Sequence, residues 1–388
     1  MKIRIRRLTA EDFVNGPGNL CLYVFLFLTS FIFLYRYDHT MFLIRSVFLM
    51  GGALAGYYKC LAGRRRFYPL PVFALTLTLL WLAAFTAHSA YRNYGLSDLF
   101  YTLCYIGISF LLLQNTYSHA VSLGLYGVTA GSILLRIVQG ADKDMILLAN
   151  SRNYISVLLL STMLLYYISC HDKKKPVLVT PVLLFFYINI YATGRGGIIV
   201  SAFLTLGILL YKYLRIENGR KKVLMGMLMI IVLMSAGFCL AASERFSLES
   251  YLQQSFDAFF SRGADSNGRF EIWGTFLKNN GKSLIAYLFA SDASLARPDG
   301  NLHNSFLQAY AAFGFIGFIV TAVMLIRAFI KGLKEKDFLW LVLFIGLMMR
   351  AFTDKVFFQG YCEIYLYYFL LYHVYQKICT PLACDREQ

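Results

Sequence analysis

The feature that most constrains this chain is a succession of long apolar blocks, 223–242 and 305–326 among them, separated by short basic clusters. A stretch of about 18 or more apolar residues is long enough for a helix to span a bilayer. Blocks such as 20–35 are shorter and need flanking aromatics or snorkelling ends to complete a crossing. None alternates polar and apolar positions, which disfavours a membrane β-barrel. With 58% hydrophobic and 15% charged residues in 388, the chain lacks the polar surface that a soluble protein of this length requires. The expected fold class is an all-α integral membrane protein.

Twelve spans are predicted, roughly at 20–35, 41–58, 69–87, 99–113, 120–138, 154–169, 176–192, 198–213, 223–242, 304–326, 338–349 and 363–376. An even number puts both termini on one side. The basic clusters at 2–7, 59–66, 173–175, 212–222 and 327–336 all fall on that side, which the positive-inside rule makes cytoplasmic. The net charge of +16 is therefore a topology signal, and no nucleic-acid partner is expected. The basic start lacks a convincing small-residue cleavage site, so 20–35 is read as a membrane helix and not as a signal peptide. The implied organisation is 1–242 for spans one to nine, 243–303 for one large extracytoplasmic loop, and 304–388 for the last three spans and a cytoplasmic tail.

The long loop carries Phe246, Tyr251, Phe256, Phe259 and Phe260, then Phe270, Trp273 and Leu277, at helical spacing. Amphipathic helices are expected there, lying on the outer leaflet or capping a cavity. The eight cysteines form no disulfide framework, since most sit in apolar blocks or near cytoplasmic ends. No Cys/His spacing resembles a zinc site, and no structural metal is expected.

A second charge pattern lies on the far side, where eleven arginines stand against four lysines. Topology does not require that bias, whereas a planar guanidinium can hold phosphate bidentately. Arg36, Arg45 and Arg92 are read as helix-end residues that snorkel to the interface. Three other segments combine polar groups with glycine. Thr193-Gly194-Arg195-Gly196-Gly197 is a tight turn whose glycines admit a ligand, with Arg195 at a helix start that favours anions. In Asn267-Gly268-Arg269-Phe270-Glu271-Ile272-Trp273-Gly274, Arg269 and Trp273 share a helical face, so the arginine reaches the site while the indole stacks on sugar. In Asp299-Gly300-Asn301-Leu302-His303-Asn304-Ser305, His303 lies where the chain re-enters the membrane, placed to take a proton from a sugar hydroxyl or to donate to a phosphate oxygen.

These segments, "TGRGG", "GRFEIW" and "NLHNSFLQAYAAFGFIGFI", resemble in order, spacing and sidedness the bacterial O-antigen ligase and O-antigen polymerase superfamily, over roughly 190–326. The resemblance implies a GT-C-like membrane glycosyltransferase of the bacterial inner membrane with its site facing the periplasm. It implies an undecaprenyl-diphosphate-linked glycan donor, and as acceptor a growing lipid-linked glycan or lipid A-core. It also implies no cofactor, neither metal nor nucleotide sugar. Membrane lipids and a chain-length regulator are further candidate partners.

Carried over residue by residue, Arg195 and Arg269 match the arginines of the two loops, and His303 matches the histidine proposed to activate the acceptor. Arg152 and Arg350 are added to the diphosphate grip on sidedness, and Trp273, Asn301 and Asn304 to sugar or acceptor binding. The sequence departs from the usual ligase form in having Gly194, not serine, before Arg195. The closing segment from Arg350 to Asp354 and on through Glu363 resembles polymerases, which makes polymerase the first expectation and ligase the alternative. A secondary transporter is the rival of another class, but the two halves of the chain differ and the polar residues gather at one face, not at midplane.

Overall fold

The computed structural model describes residues 10–35, 38–62, 96–114, 116–143, 145–147, 152–242, 269–290, 296, 300–357 and 360–379. Among them every regular element is helical. This is what lipid demands of a chain that cannot close into a barrel, because a helix satisfies its backbone internally. The helices are α1 Ala10–Leu34, α2 His39–Ala62, α3 Leu96–Leu113, α4 His119–Val138, α5 Asn153–Asp172, α6 Thr180–Ala192, α7 Arg195–Arg215, α8 Gly219–Ala242, α9 Arg269–Asn280, α10 Leu284–Phe289, α11 Ser305–Lys334, α12 Phe338–Thr353 and α13 Glu363–Cys379.

Eleven of the twelve predicted spans coincide with one of these helices, while 69–87 lies outside the described residues. By length and composition seven can cross a membrane: α1, α2, α4, α5, α7, α8 and α11. The apolar helices α3, α6 and α12 are shorter. The aromatic run 246–260 also lies outside the described residues. The five cysteines whose side chains are described are free thiols.

α5 is the spine. It is apolar on every face, and residues Ile155 through Cys170 are all buried, as expected of a helix enclosed by others. Around it stand α4, α6, α7 and α12. α7 and α12 approach closely because a Cβ at Gly207 would lie 2.5 Å from Val342 Cγ1, and one at Gly346 would run into Leu204. The aromatic side of α13 closes the core, with Tyr365, Tyr367, Tyr368 and Phe369 at most 1% exposed.

Hydrogen bonds show which helix ends lie together. Lys59 near the end of α2 reaches Thr116, and His119 at the start of α4 reaches Ser169 near the end of α5. At the other end of the bundle, Phe33 of α1 packs on Tyr154 and Tyr361. Lys59 and the 173–175 cluster thus share the end of the bundle away from the first turn of α5.

Two features depart from simple expectation. Arg45 does not snorkel. It lies inside α2, 8% exposed, donates to Thr29 Oγ1 at 2.9 Å and Tyr105 Oη at 3.0 Å, and lies over the Phe25 ring at 5.0 Å. Its position nearly two turns beyond the helix start puts neighbours, not head groups, within reach. Second, α11 is broken at Gly314, which has φ 70° and ψ −179°. A Cβ there would stand 2.5 Å from Leu288 O, so glycine both permits the bend and lets α10 lodge in it. The described part of the long loop therefore folds down against α11.

Candidate functional site

The C-terminal turn of α12 gathers segments that are remote in sequence. Arg350 and Asp354 lie one turn apart, which puts them on the same side of the chain as the helix ends. Arg350 Nη2 meets Asp354 Oδ2 at 3.1 Å, each side chain 2% exposed. The same Nη2 donates to Asn153 O at 2.9 Å, at the start of α5, and Nη1 donates to Thr353 Oγ1 at 2.9 Å. Asp354 then leaves the helix in an extended conformation. Buried charges in such a place persist only when paired and hydrogen-bonded.

Three loops dock on this turn. In the first, Thr193 closes α6 in a left-handed conformation (φ 54°), and Gly194 starts α7. A Cβ on Gly196 would stand 3.2 Å from Thr353 Oγ1 and 3.5 Å from Arg350 Nη1, and one on Gly197 would collide with Asn189 Oδ1. The two glycines let the loop seat here. Arg195, the first residue of α7, is half-buried and makes no hydrogen bond or ion pair with a described residue.

In the second, Arg269 opens α9 and its Nη1 donates to Thr353 O at 2.6 Å. Trp273, one turn on, donates from Nε1 to Leu302 O at 2.7 Å and packs edge-on against Phe352. The shared face read from the sequence is present, and it joins the second loop to the third.

The third loop is the most tightly built. Gln308 donates to Gly300 O and accepts from the Leu302 N–H, while Asn301 Oδ1 accepts from the His303 N–H at 2.9 Å. Asn304 Oδ1 accepts from the N–H groups of Phe306 and Leu307, which caps α11. Ser305 donates to Asp354 O at 2.8 Å and accepts from the Val356 N–H at 2.9 Å. His303 is held at φ 48°, an uncommon place for a residue with a Cβ, and its Nδ1 lies 3.4 Å from Asp354 Oδ1. Backbone strain of this kind gathers at functional positions.

Asp354 ties the site together electrostatically. Burial pushes its carboxyl up, but the His303 hydrogen bond and the Arg350 charge outweigh burial and hold it at about 2. An ionised Asp354 selects the tautomer of His303 with the proton on Nδ1 and the lone pair on Nε2.

The structure brings Arg195, Arg269 and His303 to one turn of α12 through Gly196, Thr353 and Asp354. Arg152 is half-buried at the start of α5, beside the Asn153 that Arg350 binds. Two residues take other places than the sequence suggested. Arg350, read as part of the diphosphate grip, is 2% exposed with both terminal nitrogens bound to protein, so it braces the site from behind. Asn304, read as a sugar contact, is buried as a helix cap because its carboxamide stands directly before an apolar helix. Asp354 was given no role from sequence. Its signal was an acidic residue one turn after an arginine at the end of an apolar block.

Residues 180–322 match the model of a protein family described as O-antigen ligase. No curated protein matches the chain. The matched segment holds the first loop, Arg269 and His303, and the resemblance of this multi-helix membrane chain to the O-antigen ligase and polymerase superfamily is thereby borne out.

Proposed function

We propose that this protein is a glycosyltransferase of the inner membrane that polymerises undecaprenyl-diphosphate-linked oligosaccharide repeat units at the periplasmic face. The observation that carries the reading is the docking of the Arg195, Arg269 and His303 loops on a single buried ion pair, Arg350–Asp354. Twelve spans, with the basic helix ends in the cytoplasm, would put that turn on the periplasmic side.

In this reading Arg195 and Arg269 clasp the donor diphosphate, with the start of α7 adding its dipole. The acceptor hydroxyl oxygen forms a bond to the anomeric carbon as the bond from that carbon to the phosphate oxygen breaks. The hydroxyl proton passes to His303 Nε2, and the lipid diphosphate leaves with its added negative charge against the two guanidinium groups. Asp354 orients the imidazole and stabilises it once protonated. Trp273 and Asn301 fix the shape of the acceptor loop, and Arg152 stands close enough to the hub to extend the grip.

Arg195→Ala and Arg269→Ala are expected to abolish chain formation at unchanged protein level, with lysine a poor rescue because it lacks the bidentate fork. Polysaccharide ladders of normal length from either alanine variant would remove that residue from the site. His303→Gln separates proton transfer, which it ends, from hydrogen bonding, which it partly keeps. The second reading, transfer of the glycan to lipid A-core, uses the same donor grip and fits the same family match. In a deletion strain, core carrying a single repeat unit supports polymerase. Long chains left on undecaprenyl diphosphate support ligase.

A further inference from the structure

α5, α7 and α12 each run from the glycan site to a second place at their other ends, about 24–32 Å away at 1.5 Å per residue. There the structure has a cleft of about 420 Å³, lined by Lys174, Lys175, Arg215, Lys336, Tyr211 and Phe338 among others. Its cations come from three stretches of chain that sequence separates widely. His171 staples two of these stretches together, Nε2 lying 2.6 Å from Asp337 Oδ2. Its Nδ1 lies 2.7 Å from Asp172, which also accepts from Tyr368 at 2.9 Å. The two nearby carboxylates are thus engaged with His171 and Tyr368. No described carboxylate pairs with Lys174, Lys175, Arg215 or Lys336.

The cations are also pre-positioned. Arg215 lies over the Tyr211 ring, its guanidinium carbon 4.2 Å from the ring centre, and Tyr211 stacks parallel to Phe338. Lys174 (φ 51°) and Lys336 (φ 55°) occupy left-handed turns just after α5 and α11, where the Lys175 N–H bonds Cys170 O and the Asp337 N–H bonds Gly332 O. Glycine is the usual residue in such a turn. A general preference for lysine on this side explains basic residues in loops. It does not explain four of them converging on one cleft, two at positions that a side chain disfavours.

We propose that this cleft binds a phosphate-bearing anion at the face opposite the glycan site. Helix ends lie at head-group depth, so an anionic phospholipid of that leaflet presents the right group at the right level, its glycerol against Leu214 and Leu339. A soluble phosphate offers the same chemistry from the aqueous side.

The test uses the full-length protein purified in detergent. Native mass spectrometry reads retention of phosphatidylglycerol or phosphatidylcholine, and thermal unfolding reads the response to inorganic phosphate. The variant is Lys174→Gly with Lys336→Gly, which removes two cations while supplying the residue their turns favour, so the fold is retained. Lys221→Gln with Lys222→Gln, at the start of α8 and outside the cleft, is the control. Phosphatidylglycerol retention should fall roughly thirtyfold in the glycine variant and stay unchanged in the control. Stabilisation by inorganic phosphate, lost in the glycine variant without any lipid preference, assigns the cleft to a soluble phosphate. Equal retention of both lipids with no phosphate response, or the same behaviour in all three proteins, overturns the proposal. None of these outcomes depends on which glycan reaction the other face performs.

Discussion

The two ends of the α5–α7–α12 group treat charge in opposite ways. At the end where the three loops dock, an arginine and an aspartate are buried against each other, 2% exposed, with Arg350 Nη1 and Nη2 and both Asp354 carboxylate oxygens hydrogen-bonded. At the other end four cations stand around an open cleft with no described carboxylate for a partner. The first arrangement fixes geometry, because a buried pair loses several kcal/mol when either member moves or disappears. The second leaves charge available to a ligand, and exposed charge contributes little to stability. A chain that must hold a reacting group in register needs the first. One that must only attract an anion needs the second.

The contrast can be broken from the closed end first. Arg350→Ala leaves the buried Asp354 without its guanidinium partner and takes one donor from Asn153 O, and should destabilise by about 3–5 kcal/mol, read as loss of protein from the membrane and a lowered Tm. An Arg350→Ala protein with wild-type Tm would mean that the ion pair does not organise this end. Gly314→Ala should cost about 1–3 kcal/mol, since alanine must adopt φ 70° and meet Leu288 O, and the same unfolding measurement checks it.

A third test uses pH. The folded value of Asp354, about 2, lies below its ordinary 3.8, so its stabilisation is complete above about 3.8 and disappears as pH falls through about 2. The acid-labile part is of order 2 kcal/mol. Asp354→Asn should flatten Tm against pH between about 5 and 2, and a wild-type slope in that variant would assign acid sensitivity elsewhere. The smallest effect belongs to the open end. Lys336→Ala should change stability by less than about 0.5 kcal/mol, a null in thermal unfolding that sharpens the comparison if Arg350→Ala is severe.

The contrast also marks what was legible in the sequence. Helix positions were, because lipid forces apolar blocks into helices and little else competes. The convergence of the Arg195, Arg269 and His303 loops was, because glycine, arginine and histidine are conspicuous between apolar blocks. Pairings across the fold were not. His303 and Asp354 are 51 residues apart, and nothing local in either segment announces the other. Arg350 looked like a ligand-facing arginine because burial is decided by neighbouring helices, and Arg45 looked like a helix-end residue for the same reason. Asn304 was readable in retrospect, since asparagine before an apolar helix is a capping signal.

The turn on which the three loops dock comes from α12, the penultimate helix, and lies beyond residue 322 where the family match ends. During synthesis, the three loop motifs have therefore emerged from the ribosome before the residues that organise them. Until α12 slots in beside α7, the nascent protein has arginines at the membrane surface but no framework to aim them. A chain stopped short of residue 338 would keep the matched segment intact yet lack the turn on which its loops dock, so that meeting point forms late in biogenesis.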